Sequence, residues 1–224
     1  MPPWRRITAT LPRAKLDQAF RDAGGVKTVA EIRTVAIEVG RARAILGDGA
    51  ALDADRIVVA AGVGSAALLR DAEGPIPLIA ERGYHIDARL SAEDWPEDLP
   101  PVAFPDRSTI VTRFASSLRM TSFTEFAWEG AAPDPRKWAK LERHADDLGL
   151  PAGEGRTRWI GCRPTLPDFL PAIGRARAAP NLLYAFGHQH LGVTLSAITG
   201  ELIAALAADR DPPAPLAPFD LNRF

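Results

Sequence analysis

Residues 57–70, IVVAAGVGSAALLR, run from an apolar strand into a helix through Gly62, Val63 and Gly64. The pattern is G-x-G-x-x-A, and the fold turns on whether it is the phosphate-binding turn of a dinucleotide site. Such a turn needs a strand, a full crossover helix, a second parallel strand and an acidic residue about 20 positions on to hold a ribose. Glu81 stands at a suitable distance. The segment from Ser65 to Gly74, however, leaves room for a helix of only roughly 10 Å, and the next strand opens through Pro75 and Pro77, which suits a crossover unit poorly. The competing reading is a strand buried on both faces whose small terminal residues serve close backbone packing.

Upstream, LPRAKLDQAFRDA (residues 11–23) sets Leu11, Leu16, Ala19 and Phe20 near one helical face and stops at Gly24-Gly25. Three strands are expected between residues 26 and 62, two of them joined by the turn GDG, and IVVAA is the last. Downstream, GPIPLIAERGYHIDARL (74–90) resumes as strand. A proline-rich acidic loop, AEDWPEDLPP (92–101), leads to STIVTRFASSLRMTSFTEFAW (108–128), two strand-like runs about a polar turn and so an antiparallel pair. DPRKWAKLERHADDLGL (134–150) is an amphipathic helix opening at Asp134 and Pro135, with His144 and Asp146 on a solvated face. An extended, proline-broken passage follows, and the chain closes with a strand, a Gly and His turn, and a long helix. There is no internal repeat.

The 224 residues are 46% apolar, enough for a sizeable core, and the 27 basic and 28 acidic residues leave a net charge of −1. That balance offers no footprint for nucleic acid or an anionic membrane. The single cysteine, Cys162, excludes an internal disulfide, and no His/Cys cluster has zinc-ligand spacing, so no metal is expected and a reducing, cytoplasmic setting fits. The apolar run LSAITGELIAALAA (195–208) is shorter than a bilayer span and carries Glu201. No transmembrane segment is expected, which leaves peripheral membrane association compatible with the sequence.

Four blocks taken together, IVVAAGVGS (57–65), AERGYHI (80–86), WIGCRPTLPDFLPAIG (159–174) and NLLYAFGHQHLGVTLSAITGELIA (181–204), resemble the FAD-dependent D-amino-acid oxidase and dehydrogenase superfamily, closest to bacterial D-amino-acid dehydrogenase-like proteins. The pairing of G-x-R-P-x-x-P-D with G-H-x-x-x-G-x-T carries most of the resemblance, which covers the chain from about residue 5. It implies an α/β (α+β) fold: the latter part of a Rossmann-like FAD-binding domain (1–74), an inserted antiparallel-sheet substrate-binding domain (75–160), and a returning segment of the FAD-binding domain (161–224). Under this resemblance Ala60, Ala61 and Gly62 form a cofactor wall, not a phosphate turn. The family's own G-x-G-x-x-G turn would lie upstream of Met1, so the chain is expected to be a C-terminal portion with a separate N-terminal half or an electron acceptor as partner.

The resemblance also assigns roles. Arg163 is expected to bind the carboxylate of an amino-acid substrate, for which a permanently charged, bidentate guanidinium is well suited. Gly187, His188, Gln189, His190, Leu191, Gly192, Val193 and Thr194 are expected to lead directly into the last helix and to present its N-terminal end to the flavin. His190 is expected to add a substrate contact, Tyr84 and His85 to line the pocket above the flavin, and Ile32 to pack near the adenine. The implied activity is oxidative deamination of a D-amino acid, or of a cyclic imino acid such as hydroxyproline, by hydride transfer to flavin; this needs orientation more than a protein base. Two other readings stay open, a non-catalytic remnant or partner-binding subunit, and an NAD-binding protein using Gly62–Gly64.

Overall fold

A computed structural model describes residues 10–90, 95–96, 98–151 and 155–224. The chain opens with α1 (Thr10–Asp22), then β1 (Ile32–Glu38), β2 (Arg41–Leu46) and the short β3 (Ala51–Leu52). These strands make an antiparallel sheet in the order β1-β2-β3. Leu16 and Phe20 lie on the exposed surface of α1, with the Phe20 ring over Gly25; the Leu11 side chain lies outside the described residues, as do 92–94 and 97 of the acidic loop.

IVVAA supplies β4 (Ile57–Val59), followed by a 3-10 turn at Gly62–Gly64 and two single-turn helices, α2 (Ser65–Leu68) and α3 (Arg70–Glu73). The next strand, β5 (Ile79–Arg89), enters a different sheet with antiparallel neighbours. No parallel crossover from Gly62 to Glu81 is formed, so the NAD reading of Gly62–Gly64 is corrected. β4 itself is an edge strand, and Val58 is 43% exposed. The expectation of burial on both faces therefore fails, because only the side of Val59 meets the core.

The antiparallel pair expected at 108–128 forms as β7 (Thr109–Arg113) and β8 (Ser117–Ala127), with β6 (Val102–Phe104) before it; α4 (Pro135–Asp147) is capped by the Asp134 side chain, which accepts the Arg136 N–H. β9 (Arg156–Thr165) completes a five-stranded sheet in the order β6-β7-β8-β5-β9. One face packs on α4 through Tyr84, Ile86, Met120, Leu141 and Ala145. At Phe123, in the left-handed region at φ 59°, β8 carries one extra residue: Gly83 opposes Thr124 but Tyr84 opposes Ser122. This is a β-bulge. β10 (Ala172–Arg175), β11 (Leu182–Phe186) and β4 form the third sheet, with β11 antiparallel to β10 and parallel to β4, and α5 (Ser196–Ala207) follows.

Asn181 ties the first and third sheets together. Its side chain is buried, its Oδ1 accepts the Ala42 N–H at 2.8 Å, and its Nδ2 donates to the Ala42 carbonyl at 3.0 Å, while its own carbonyl accepts from Ile57. Asn181→Ala would leave both polar groups of the buried Ala42 backbone without these partners. It should cost about 2–4 kcal/mol of stability, read as a lowered midpoint in urea denaturation at unchanged slope.

Candidate active site

The face of the five-stranded sheet turned away from α4 is built by strand alternation. β5 presents Glu81, Gly83, His85 and Asp87, and β9 opposes them in register with Arg163, Gly161, Trp159 and Thr157. β8 adds Thr121 and Arg119 beside His85 and Asp87. These strands line a cleft of about 680 Å³ running from Arg163 past Trp159 and His85 to Asp87 and Arg119.

Glu81 closes one end. Its side chain is only 7% exposed, and it accepts from Thr165 Oγ1 at 3.0 Å, from Arg163 Nη1 at 3.3 Å and from His190 Nε2 at 3.0 Å. A buried carboxylate requires such partners. Here they come from β9 and from the Gly and His turn, so Arg163 and His190 share one anion. The ribose role for Glu81 does not hold, because the acid faces its own sheet's arginine.

At the other end, Arg119 donates to Asp87 through Nε and a terminal nitrogen at 2.8 and 2.9 Å. His85 stacks on Trp159 with ring centroids 4.5 Å apart and planes 17° from parallel. Burial, followed by the nearby Arg119 charge, pushes the His85 pKa down in spite of Asp87. Tyr84, one residue away, points to the opposite face. It is fully buried, donates to Glu125 at 2.9 Å, accepts the Asp134 N–H at 3.0 Å and meets Trp138 edge-on. Tyr84 is thus a core residue; only His85 lines the cleft.

The expected cofactor residues divide likewise. Ala60, His188 and Gly192 meet in an apolar notch of about 310 Å³ with Val58, Ala185 and Ile203. Ala61 is exposed and Gly62 has φ +59° with open space beyond its Cα. Gly187 has φ +81°, and a Cβ there would lie 2.7 Å from Leu166, so glycine is required. His188 Nε2 lies 3.1 Å from Thr199 Oγ1, and burial lowers its pKa. Leu191 and Val193 are 54% and 66% exposed, Thr194 is exposed, and Gln189 has a buried Nε2 with no hydrogen-bond partner. A notch lined by Val58, Ala60, Ala185, Gly192 and Ile203 suits the apolar face of a flat ring system, and in this respect the residues present fit a flavin. After the 3-10 turn Gln189–Leu191 the chain runs through Thr194 into the N-cap residue Leu195, and α5 begins at Ser196 without a side-chain cap. Ile32 pairs with Leu46 in the first sheet.

Residues 13–206 match the family described as DAO, FAD dependent oxidoreductase. The chain belongs to that family. It is 35% identical over 209 residues to a D-amino-acid oxidase of Bradyrhizobium diazoefficiens, an alignment covering 90% of this chain and 49% of the relative. It is 29% identical over 180 residues to D-amino acid dehydrogenase 2 of Mesorhizobium japonicum, covering 79% and 42%. The chain spans about half the length of the curated relatives it matches. Among solved structures, glycine oxidase from Geobacillus kaustophilus and iminodiacetate oxidase from Chelativorans sp. BNC1 superpose with TM-scores of 0.76 and 0.75. Each is 21% identical and covers 94% of this chain and 57% of the other, a likeness of fold. Among the described residues no helix is long and apolar enough to cross a membrane, and no His, Cys, Asp or Glu cluster has the form of a metal site.

Sequence reasoning passed over Glu81 as an anchor, Trp159, and the opposed glycines Gly83 and Gly161. The signal was present as two period-2 sets with a glycine inside each, E-x-G-x-H-x-D on β5 and T-x-W-x-G-x-R on β9.

Burial lowers the pKa of His85, His144 and His188. Unfolding frees these imidazoles to take up protons near pH 6.5, so the stability they contribute is present above that value and is lost as pH falls through their folded pKa values. Half-buried Glu73, whose pKa is raised, acts in the opposite direction. With three groups against one, the urea midpoint should be lower at pH 5.5 than at pH 7.5. An equal midpoint would mean that the imidazoles titrate as they do in solvent.

Proposed function

We propose that the cleft at Arg163 is the amino-acid site of an FAD-dependent oxidoreductase that oxidises the Cα–N bond of a D-amino acid, or of a cyclic imino acid such as hydroxyproline. The observation that carries this reading is the contact of Glu81 with both Arg163 and His190, which joins a carboxylate-binding guanidinium to the Gly and His turn. The 35% identity to a D-amino-acid oxidase supports the substrate class. Residues 60–62 and 187–194 would hold the cofactor, with Ala60 and Gly192 against its apolar surface. FAD, when bound, supplies the acceptor for the hydrogen and electron pair that leave Cα.

The chain's own residues orient the substrate. Arg163 grips the carboxylate through paired N–H donors, Glu81 keeps the guanidinium folded over Gly83, and the sheet floor excludes water beneath the reacting carbon. His190, half-exposed at the junction, is placed to contact the same substrate. We read 1–74 and 161–224 as FAD-binding and 75–160 as substrate-binding, in a cytoplasmic protein. Among the described residues no G-x-G-x-x-G turn opens a full helix, so a further segment or a separate chain would seat the pyrophosphate. The 224-residue chain alone should therefore bind FAD weakly in a fluorescence titration; a yellow, stoichiometric complex would overturn that point.

In the flavin-loaded enzyme, Arg163→Leu should raise KM for a D-amino acid by roughly 100-fold, matching about 3 kcal/mol for two charge-assisted hydrogen bonds, with the visible flavin spectrum retained. Arg163→Lys should fall between. Unchanged steady-state kinetics would sink the carboxylate assignment. A flavin-loaded wild type that oxidises no D-amino acid would instead favour a binding-only role.

A further inference from the structure

Gly83 and Gly161 are directly opposed on β5 and β9, and both lack the side chain that would fill the floor of the cleft. A Cβ at Gly83 would lie 2.5 Å from Arg163 Nη2, and one at Gly161 would lie 1.9 Å from Trp159 Cη2. The guanidinium therefore folds over one glycine and the indole over the other. Side chains at directly opposed positions start ~5 Å apart, so the two groups come together within the span of one amino acid. Trp159 is backed by the His85 ring and still 53% exposed.

The charged groups around this platform are already matched. Asp87 takes two N–H donors of Arg119, and Glu142 takes two of Arg158 at 2.8 and 2.9 Å. Burial lowers the pKa of His85. What the cleft offers beyond Arg163 is an exposed aromatic face with no unmatched charge beside it among its lining side chains.

Resting on the carboxylate reading of Arg163, we infer that the indole of Trp159, laid over Gly161, is the side-chain subsite, and that it selects amino acids with an aromatic side chain over small or charged ones. With the carboxylate on Arg163, an aromatic ring reaches the Trp159 face in an offset or edge-on arrangement. An ionised side chain would lose hydration there without gaining a counter-charge. A methyl side chain leaves most of the indole bare.

The test compares D-phenylalanine, D-alanine, D-glutamate and D-lysine, with the wild type, Trp159→Ala, Trp159→Phe and Arg163→Leu. Isothermal titration of the 224-residue chain without FAD measures binding free of turnover, and kcat/KM is measured in the flavin-loaded enzyme. D-phenylalanine should bind at least tenfold more tightly than the other three. Trp159→Ala should remove that advantage, Trp159→Phe should keep most of it, and Arg163→Leu should weaken every amino acid together. Thermal unfolding checks that Trp159→Ala, a change at an exposed side chain, stays folded. If Arg163→Leu weakens all four in kcat/KM but the wild type shows no preference for D-phenylalanine in either measurement, the subsite is wrong and the carboxylate reading stands. If Arg163→Leu has no effect on kcat/KM, the underlying reading fails first. A D-phenylalanine preference that survives in Trp159→Ala also overturns the subsite.

Discussion

A carboxylate taken out of water must be met by donors, and Glu81 is met by three: Arg163, Thr165 and His190. Two of them lie on β9 and the third on the turn after β11, so satisfying one buried charge fixes the lateral position of a strand and the approach of a distant loop. Arg163 is denied the freedom of a surface arginine and arrives pre-aimed. Pre-organisation of this kind reduces the rotamer entropy that a ligand would otherwise have to remove on binding. The same anion also limits how much positive charge the cleft displays, so a carboxylate bound there would depend on geometry as much as on Coulomb attraction.

Much of the architecture was legible because local signals were strong. Asp134 and Pro135 announce α4 by cap chemistry, the polar turn after Arg113 joins β7 to β8, and the two prolines before β5 argue against a crossover. What was not legible depends on partners distant in sequence. β5 is an interior strand, between β8 and β9, and is buried almost throughout, so Tyr84 and His85 give no hydropathy clue to which of them faces the cleft and which faces α4. IVVAA has the composition of a doubly covered strand, but coverage belongs to the neighbouring elements and cannot be read from Val58 itself. Glu81 looked like a ribose acid because its sequence distance from Gly62 was right, while its actual partners lie 82, 84 and 109 residues away.

The site residues divide by the same logic. The Gly and His turn is legible from composition, since Gly187 must take a positive φ against Leu166. Trp159 is not, because one tryptophan among five carries no mark of function. It becomes informative only when the register places a glycine opposite a glycine, leaving a gap that an indole and a guanidinium fill from either side.

The extra residue at Phe123 has an evolutionary corollary. Before it, the odd-numbered residues Arg119 and Thr121 share the cleft face with His85 and Asp87; after it, the even-numbered Thr124 and Phe126 stand opposite Gly83 and Glu81. Parity along β8 is reversed at that point. Substitutions can retune individual side chains of this wall, and loss of Phe123 would leave Ser122 and Thr124 in regular register opposite Tyr84 and Gly83, but one further residue inserted in either arm of β8 would turn that arm over, delivering Met120 or Glu125 to the cleft. Lineages diverging from this chain can thus vary the wall residue by residue and even lose the bulge, while longer forms of β8 are held back by selection against an arm that turns inside out.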